Sequence, residues 1–137
     1  MRIFGTFVSC IFLCLLISNV ARAQLLGGFY GSGLDKSSKG DYYGAIADFT
    51  KVIEQYPNEP KPYYYRAINK FNLKDYAGAL VDFDKAVLLN PKYAEAYFWR
   101  GMSKVGLKKK KEACPDFQKS LDLGYLAARD ALDKYCR

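Results

Sequence analysis

The sequence predicts an all-α protein: three helix-turn-helix units stacked in a row and closed by one further helix. The first observation behind this is a repeat. The segments "AIADFTKVIEQYP", "ALVDFDKAVLLNP" and "ACPDFQKSLDLGY" align without gaps. Ala45, Ala79 and Ala113 recur every 34 residues, as do Asp48, Asp82 and Asp116, Phe49, Phe83 and Phe117, and Lys51, Lys85 and Lys119. Pro57 and Pro91 keep the same period, Tyr63 matches Tyr97, Arg66 matches Arg100, and Ala67 stands opposite Gly101. A fixed period in this range marks a stacked repeat architecture. The second observation is helical spacing without any clear strand pattern: Ala79, Phe83 and Ala86 fall at i, i+4 and i+7, one helical face.

The elements follow in chain order. Residues 1–23 open with Arg2, then carry no charge from 3 to 21, with a strongly apolar stretch from Phe7 to Ile17. Ala21-Arg22-Ala23 then supplies a small-x-small cleavage pattern before Gln24. This layout predicts a secretory signal peptide cleaved near Ala23. The alternative is a retained anchor, because 19 uncharged residues approach the ~20 that span a bilayer. Neither Cys10 nor Cys14 sits where a lipoprotein signal needs its cysteine. The expected location is therefore outside the cytoplasm, in the periplasm, outer envelope or extracellular space.

Unit one (about 26–59) begins with a glycine-rich run. Gly27, Gly28, Gly31 and Gly33 each disfavour a helix interior by ~1 kcal/mol relative to alanine, so its first helix is expected to fray at the start. In units two (about 60–93) and three (94–124), a small residue lets the paired helices approach and a phenylalanine fills the space between them. Asp82 and Lys85 lie at i, i+3, a pair worth a few tenths of a kcal/mol if exposed. Pro57 and Pro91 end the second helices of units one and two. The turns between paired helices read "KGDY", "LKDY" and "LKKK". In unit three Pro115 is expected to delay the second helix until near Glu112 and lengthen the lysine-rich turn. Lys108 to Lys111 offer the one expected membrane contact, to anionic headgroups, set against an ordinary solvated turn. Tyr125 replaces the terminal proline, and Gly124 supplies a left-handed stop. Residues 125–137 then read as a helix capping the exposed apolar end.

These features resemble the tetratricopeptide repeat (TPR) family. The likeness rests on Tyr63 with Ala67, Tyr97 with Gly101, the mid-repeat alanine, the following aromatic and the terminal proline, and it covers residues 26–124. It implies a right-handed superhelical stack whose first helices line a concave face that binds extended or helical peptides. On this chain the resemblance places Tyr30 there with Leu34, then Lys61, Tyr64, Ile68 and Phe71, then Glu95, Phe98, Met102 and Val105. Phe71 and Val105 read equally as core. TPR domains that clamp a carboxylate tail use Lys, Arg and Asn at positions held here by Tyr64, Ile68, Phe98 and Met102, so that ligand class is not expected.

Chemistry is narrowed by what is absent. The sequence has no histidine, which removes the commonest general base and the commonest metal ligand. "GGFYGSG" lacks the trailing Lys-Ser/Thr of a phosphate loop, and the aspartates recur as a structural position. We expect no enzyme activity and no cofactor or metal. After cleavage, 19 Lys and Arg stand against 14 Asp and Glu, a net +5, but export removes nucleic acid as the natural partner.

Cys114 and Cys136 would then be the remaining cysteines. Export places them where disulfides persist. Cys114 lies 10 residues before Gly124 and Cys136 lies 12 after it. On an antiparallel helical pair that puts them at similar height, ~15 to 18 Å from the turn. A disulfide is the favoured reading; free thiols, a redox pair or half a metal site are its alternatives. The expected function is a non-catalytic interaction module of the cell envelope with a protein or peptide partner. The competing class is a structural subunit that assembles through its unit-one edge, and an oligomer is compatible with either.

Overall fold

The computed structural model describes residue 24 and residues 27–137; the expected signal peptide lies outside the described residues. Helix α1 spans residues 27–38. It is followed by α2 (Tyr42–Gln55), α3 (Pro60–Asn72), α4 (Tyr76–Leu89), α5 (Ala94–Gly106), α6 (Lys110–Asp122) and α7 (Ala127–Tyr135). The described residues contain no strand. Each helix packs chiefly on its chain neighbours, and α3 also touches α5. This is the all-α solenoid that the repeat predicts: pairs α1/α2, α3/α4 and α5/α6, with α7 laid over α6.

The pairs are built around the repeated phenylalanines. Phe49, Phe83 and Phe117 are completely buried, as are Ala45, Ala79 and Ala113 in the same second helices. Each ring reaches a small residue on the first helix. A Cβ on Gly101 would sit 2.7 Å from the Phe117 ring, and one on Gly33 would sit 3.0 Å from Phe49. Gly33 therefore has a packing reason to be glycine. The expected fraying is not seen at Gly27 and Gly28, which are helical.

The turns repeat as closely as the core. Gly40, Lys74 and Lys108, spaced by 34, all have left-handed backbone, with φ of 82°, 62° and 63°. In each turn the next residue's N–H reaches five positions back: Asp41 to Lys36, Asp75 to Lys70 and Lys109 to Lys104, at 2.9, 2.9 and 2.8 Å. These are Schellman closures, which satisfy the last carbonyls of the first helix. The same closure recurs at the end of the array. Gly124 has φ 95°, and Tyr125 N–H donates to the Ser120 carbonyl at 3.0 Å. Because that turn also occupies Tyr125 and Leu126, α7 starts at Ala127 and not at 125.

Asp41 and Asp75 cap α2 and α4 by accepting from the N–H of Gly44 and Gly78, each at 2.9 Å. In unit three the cap is Lys109, without a side-chain bond, and the glycine becomes Glu112. The substitutions go together, since a Cβ at Gly44 or Gly78 would run into the capping carboxylate.

The delayed start of α6 is a mistaken expectation. The helix begins at Lys110, the repeat partner of Tyr76, with Pro115 inside it. The lysine-rich turn is no longer than the others. Pro115 removes one N–H, and its side is solvent-exposed, while Ala113, Asp116 and Phe117 are held in the core. Tertiary packing outweighs the local break.

Lysine at a left-handed position costs ~1–2 kcal/mol, partly offset against glycine's greater loss of backbone entropy. Lys108→Gly should therefore raise stability by up to ~1 kcal/mol, read as a higher urea midpoint at unchanged slope.

Candidate functional site: the concave face

Behind the concave face lies a row of buried carboxylates. Asp48, Asp82 and Asp116 are 3%, 2% and 3% exposed. Asp48 accepts from Ser32 and Lys36, both at 2.7 Å. Asp82 accepts from Arg66 through Nε at 2.8 Å and Nη2 at 2.7 Å, with Lys70 at 2.8 Å. Asp116 accepts from Arg100 Nε and Nη2 and pairs with Lys104 at 2.7 Å. Asp82 is thus buried, and the condition for an exposed pair with Lys85 is not met. Asp82 points between the helices, because a cation stands at i and i+4 on the facing helix. Lys70 and Lys104 sit where the family keeps an aromatic, and they carry these ion pairs.

The arginines also bind unit to unit. Arg66 Nη1 donates to Thr50 at 3.1 Å and Arg100 Nη1 to Asp84 at 3.0 Å, each on the preceding unit's second helix. Burial opposes the charge on Arg100, but Asp116 and Asp84 hold its pKa above the ordinary value.

The face itself is built from α1, α3 and α5. Tyr64, Ile68 and Phe71 are half-buried and pack on one core cluster, which includes Ile53, Tyr63 and Phe83. Phe98, Met102 and Val105 are half-buried and pack on the next, around Phe117 and Ala128. Tyr30 is half-buried, Lys61 and Glu95 are exposed, and Leu34 is 36% exposed. Tyr30 and Lys61 meet at one cleft of about 410 Å³, with Val52, Tyr56 and Pro62.

Four aromatics missing from the expected face join these into two runs of touching rings. Tyr65 stacks on Phe49 at 5.6 Å and meets Tyr64 edge-on at 5.2 Å. Tyr93 lies 4.8 Å from Tyr64. Trp99 contacts Phe71 at 5.1 Å and Phe98 at 5.4 Å, and Tyr125 lies 5.2 Å from Phe98. Tyr65 and Trp99 are themselves 34 apart and were legible as a repeated aromatic. Tyr93 and Tyr125 lie in loops, outside helical periodicity.

The tyrosines stay neutral. Burial, helped by Tyr65, pushes the Tyr30 phenol up to about 12. Burial, then the Glu95 charge, raises Tyr64, and burial with Tyr64 beside it raises Tyr93. The face is therefore apolar and aromatic, with Lys61 and Glu95 as its charges among the positions foreseen. No described group of His, Cys, Asp or Glu forms a metal-holding cluster.

At the far end, Cys114 on α6 and Cys136 at the end of α7 face each other with Cα atoms 5.8 Å apart, within the usual disulfide range. Cys114 Sγ lies 3.3 Å from the Lys110 carbonyl oxygen.

A stack of helical hairpins with small-residue and phenylalanine interlocks is a repeat solenoid, and the comparisons name its kind. Residues 20–59 and 94–123 each match a tetratricopeptide repeat model. No curated protein matches the chain. The chain is 32% identical to the first TPR of Spaghetti (RPAP3) bound to HSP90 peptide SRMEEVD, covering 82% of this chain and 91% of that one, with TM-score 0.79. It is 28% identical to the second TPR domain of human RPAP3 in complex with HSP70 peptide SGPTIEEVD, over 80% and 92% of the two chains, at TM-score 0.76. The Arabidopsis OM64 TPR domain shares the fold at TM-score 0.78 and 24% identity, over 82% and 94%. The chain belongs to the tetratricopeptide repeat family.

Removing one partner of a buried ion pair typically costs ~3–5 kcal/mol. Asp82→Ala should destabilise by about that much, and Lys85→Ala by under ~0.5 kcal/mol, in parallel urea titrations. For Asp48, burial would raise the carboxyl pKa, but hydrogen bonds from Lys36 and Ser32 more than offset this and hold it below 3.8. A lowered folded-state value means the contribution is complete above the unfolded value, ~3.9, and is lost as pH falls through the folded one. Acid titration of Asp48→Asn should show a shallower loss of stability below about pH 4 than the parent.

Proposed function

We propose that this protein is an exported, non-catalytic interaction module that binds an apolar peptide or helix on its concave face. The observation that carries the reading is the paired stripe of Tyr64, Ile68 and Phe71 on α3 and Phe98, Met102 and Val105 on α5, half-buried and backed by the core. Large apolar surfaces presented this way suit helix-in-groove binding, in which anchors at i, i+3 or i+4, and i+7 enter the groove. Both RPAP3 domains above are peptide complexes, which supports the class of function. Their peptides, SRMEEVD and SGPTIEEVD, end in an acidic residue. Here Tyr64, Ile68, Phe98 and Met102 would meet such a tail with no cation, so the ligand is assigned as apolar.

The signal-like N-terminus supports export, with cleavage near Ala23. In that setting Cys114 and Cys136 are read as a disulfide tying α7 to α6. Closing a loop of this length contributes ~3 kcal/mol in the chain-entropy model. The second reading, a subunit assembling through its unit-one edge, draws on the apolar cleft beside Gly27 and Tyr30.

Amide-shift titration separates the readings. An amphipathic apolar helical peptide should perturb α3 and α5, and Ile68→Lys with Met102→Lys should weaken it at least tenfold. The peptide SRMEEVD should produce no saturable shift. Perturbation confined to residues 27–33, or loss of partner binding on deleting residues 24–33 alone, would favour the edge. N-terminal sequencing of the exported product should begin at Gln24; a retained Met1 would refute cleavage.

A further inference from the structure

The solenoid's last helix is lightly attached. α7 has nine residues, below the length at which a helix persists alone. Its buried residues are Ala128 and Ala131, which offer little apolar area. Leu126 at its start is 72% exposed. Its described ion pair, Arg137 with Asp133, lies within its own end, and no described side-chain hydrogen bond or ion pair joins it to α6. Leu132 and Tyr135 pack on the cluster around Phe117, with Tyr135 stacked on Phe117 at 6.1 Å and Lys110 Nζ 6.0 Å from its ring, and the covalent link adds to this short contact.

The two sulfurs have unequal surroundings. Cys136 lines an open cleft of about 410 Å³ between α6 and α7, with Gln118, Leu121, Leu132, Arg129, Asp133 and Arg137; Arg137 is paired with Asp133 at 2.8 Å, which leaves Arg129 as the cation that would draw an anion in. Cys114 does not line that cleft. It lies in the second turn of α6, with its Cβ tilted toward the helix N-terminus and Lys110 and Lys111 just upstream. Its sulfur is set against the Lys110 carbonyl oxygen at 3.3 Å, so a thiol entering the cleft meets Cys136 first.

We propose that the Cys114–Cys136 bond is a thiol-exchange site, entered through this cleft and attacked at Cys136 by a small anionic thiol, and that its opening releases α7. This rests on the disulfide reading above. The incoming thiolate bonds to Cys136 Sγ, and the bond to Cys114 breaks with its electron pair leaving on Cys114. The Cys114 thiolate takes a proton from solvent, and the thiol then donates to the Lys110 carbonyl 3.3 Å away. A second thiol attacks the mixed disulfide, frees Cys136 as a thiolate that is protonated in turn, and leaves as the oxidised disulfide. Two electrons have then passed from the external thiols to the protein. Freed from Cys114, α7 uncovers Ala113 and Phe117.

Reduced glutathione is the probe. The full exported chain is incubated with it, quenched in acid and mapped by mass spectrometry; trypsin places Cys114 and Cys136 in different peptides. The expected mixed disulfide is on Cys136, at least tenfold over Cys114. Hydrogen exchange on the dithiothreitol-reduced protein should show amides of α7 exchanging at least tenfold faster, with α2 to α5 unchanged. Adduct mainly on Cys114, or α7 protection unaffected by reduction, would overturn the proposal while leaving the disulfide intact. Two free thiols in the unreduced protein would overturn the disulfide itself and this inference with it.

Discussion

Everything in this molecule hangs on a carboxylate placed between two helices and answered by cations four residues apart. Moving a charge out of water costs several kcal/mol, recovered only when geometry and hydrogen bonding are nearly complete. Asp82 meets that condition with Arg66 and Lys70, and Asp116 meets it with Arg100 and Lys104. A phenylalanine and a small residue tolerate some sliding. A forked guanidinium on a buried carboxylate tolerates little. The ion pairs therefore set the register in which one helix lies against its mate. Arg66 and Arg100 also reach the unit before, so one side chain fixes both the pairing within a unit and the stacking between units.

The concave face is a product of that register. With Tyr63 and Ala67 turned toward the phenylalanine and Arg66 toward the carboxylate, the next positions around α3 are Tyr64, Ile68 and Phe71. The same rotation on α5 brings up Phe98, Met102 and Val105. The aromatic chain from Tyr30 through Tyr65 and Tyr64, and from Phe71 through Trp99 and Phe98 to Tyr125, lies across the units. It makes the face stiff as well as apolar, so little ordering cost would fall on this side when a ligand is seated.

Much of this was legible from periodicity, because a repeat exposes structural positions by recurrence. Ala79, Phe83, Asp82 and Arg66 declared themselves that way, whereas the left-handed stop at Gly124 was legible from its residue type alone. The partners of Asp82 were harder to read, because i, i+3 spacing to Lys85 is visible along the chain, whereas Arg66 and Lys70 approach from another helix. Pro115 misled in a similar way: a local helix breaker was given more weight than the packing of Ala113 and Phe117 on either side of it. The left-handed lysines at 74 and 108 carry no composition signal; only their alignment with Gly40 reveals them. Tyr93 and Tyr125 come to the groove from loops, where neither helical nor repeat spacing applies.

The arginine that reaches backward gives the three units distinct grammatical roles. Unit one has Ser32 where the others have Arg66 and Arg100, so it can receive but not reach. Unit three has Gln118 where Thr50 and Asp84 accept, and that side chain is turned to Asp122 on its own helix. Unit two alone both reaches back, through Arg66, and receives, through Asp84. A longer protein made by copying residues 60–93 in tandem would find every such contact already written, because the second copy's arginine would land on the first copy's Asp84. Copying either end would leave a joint without its bond. The array can grow from its middle, and its ends are terminators by residue choice as well as by position.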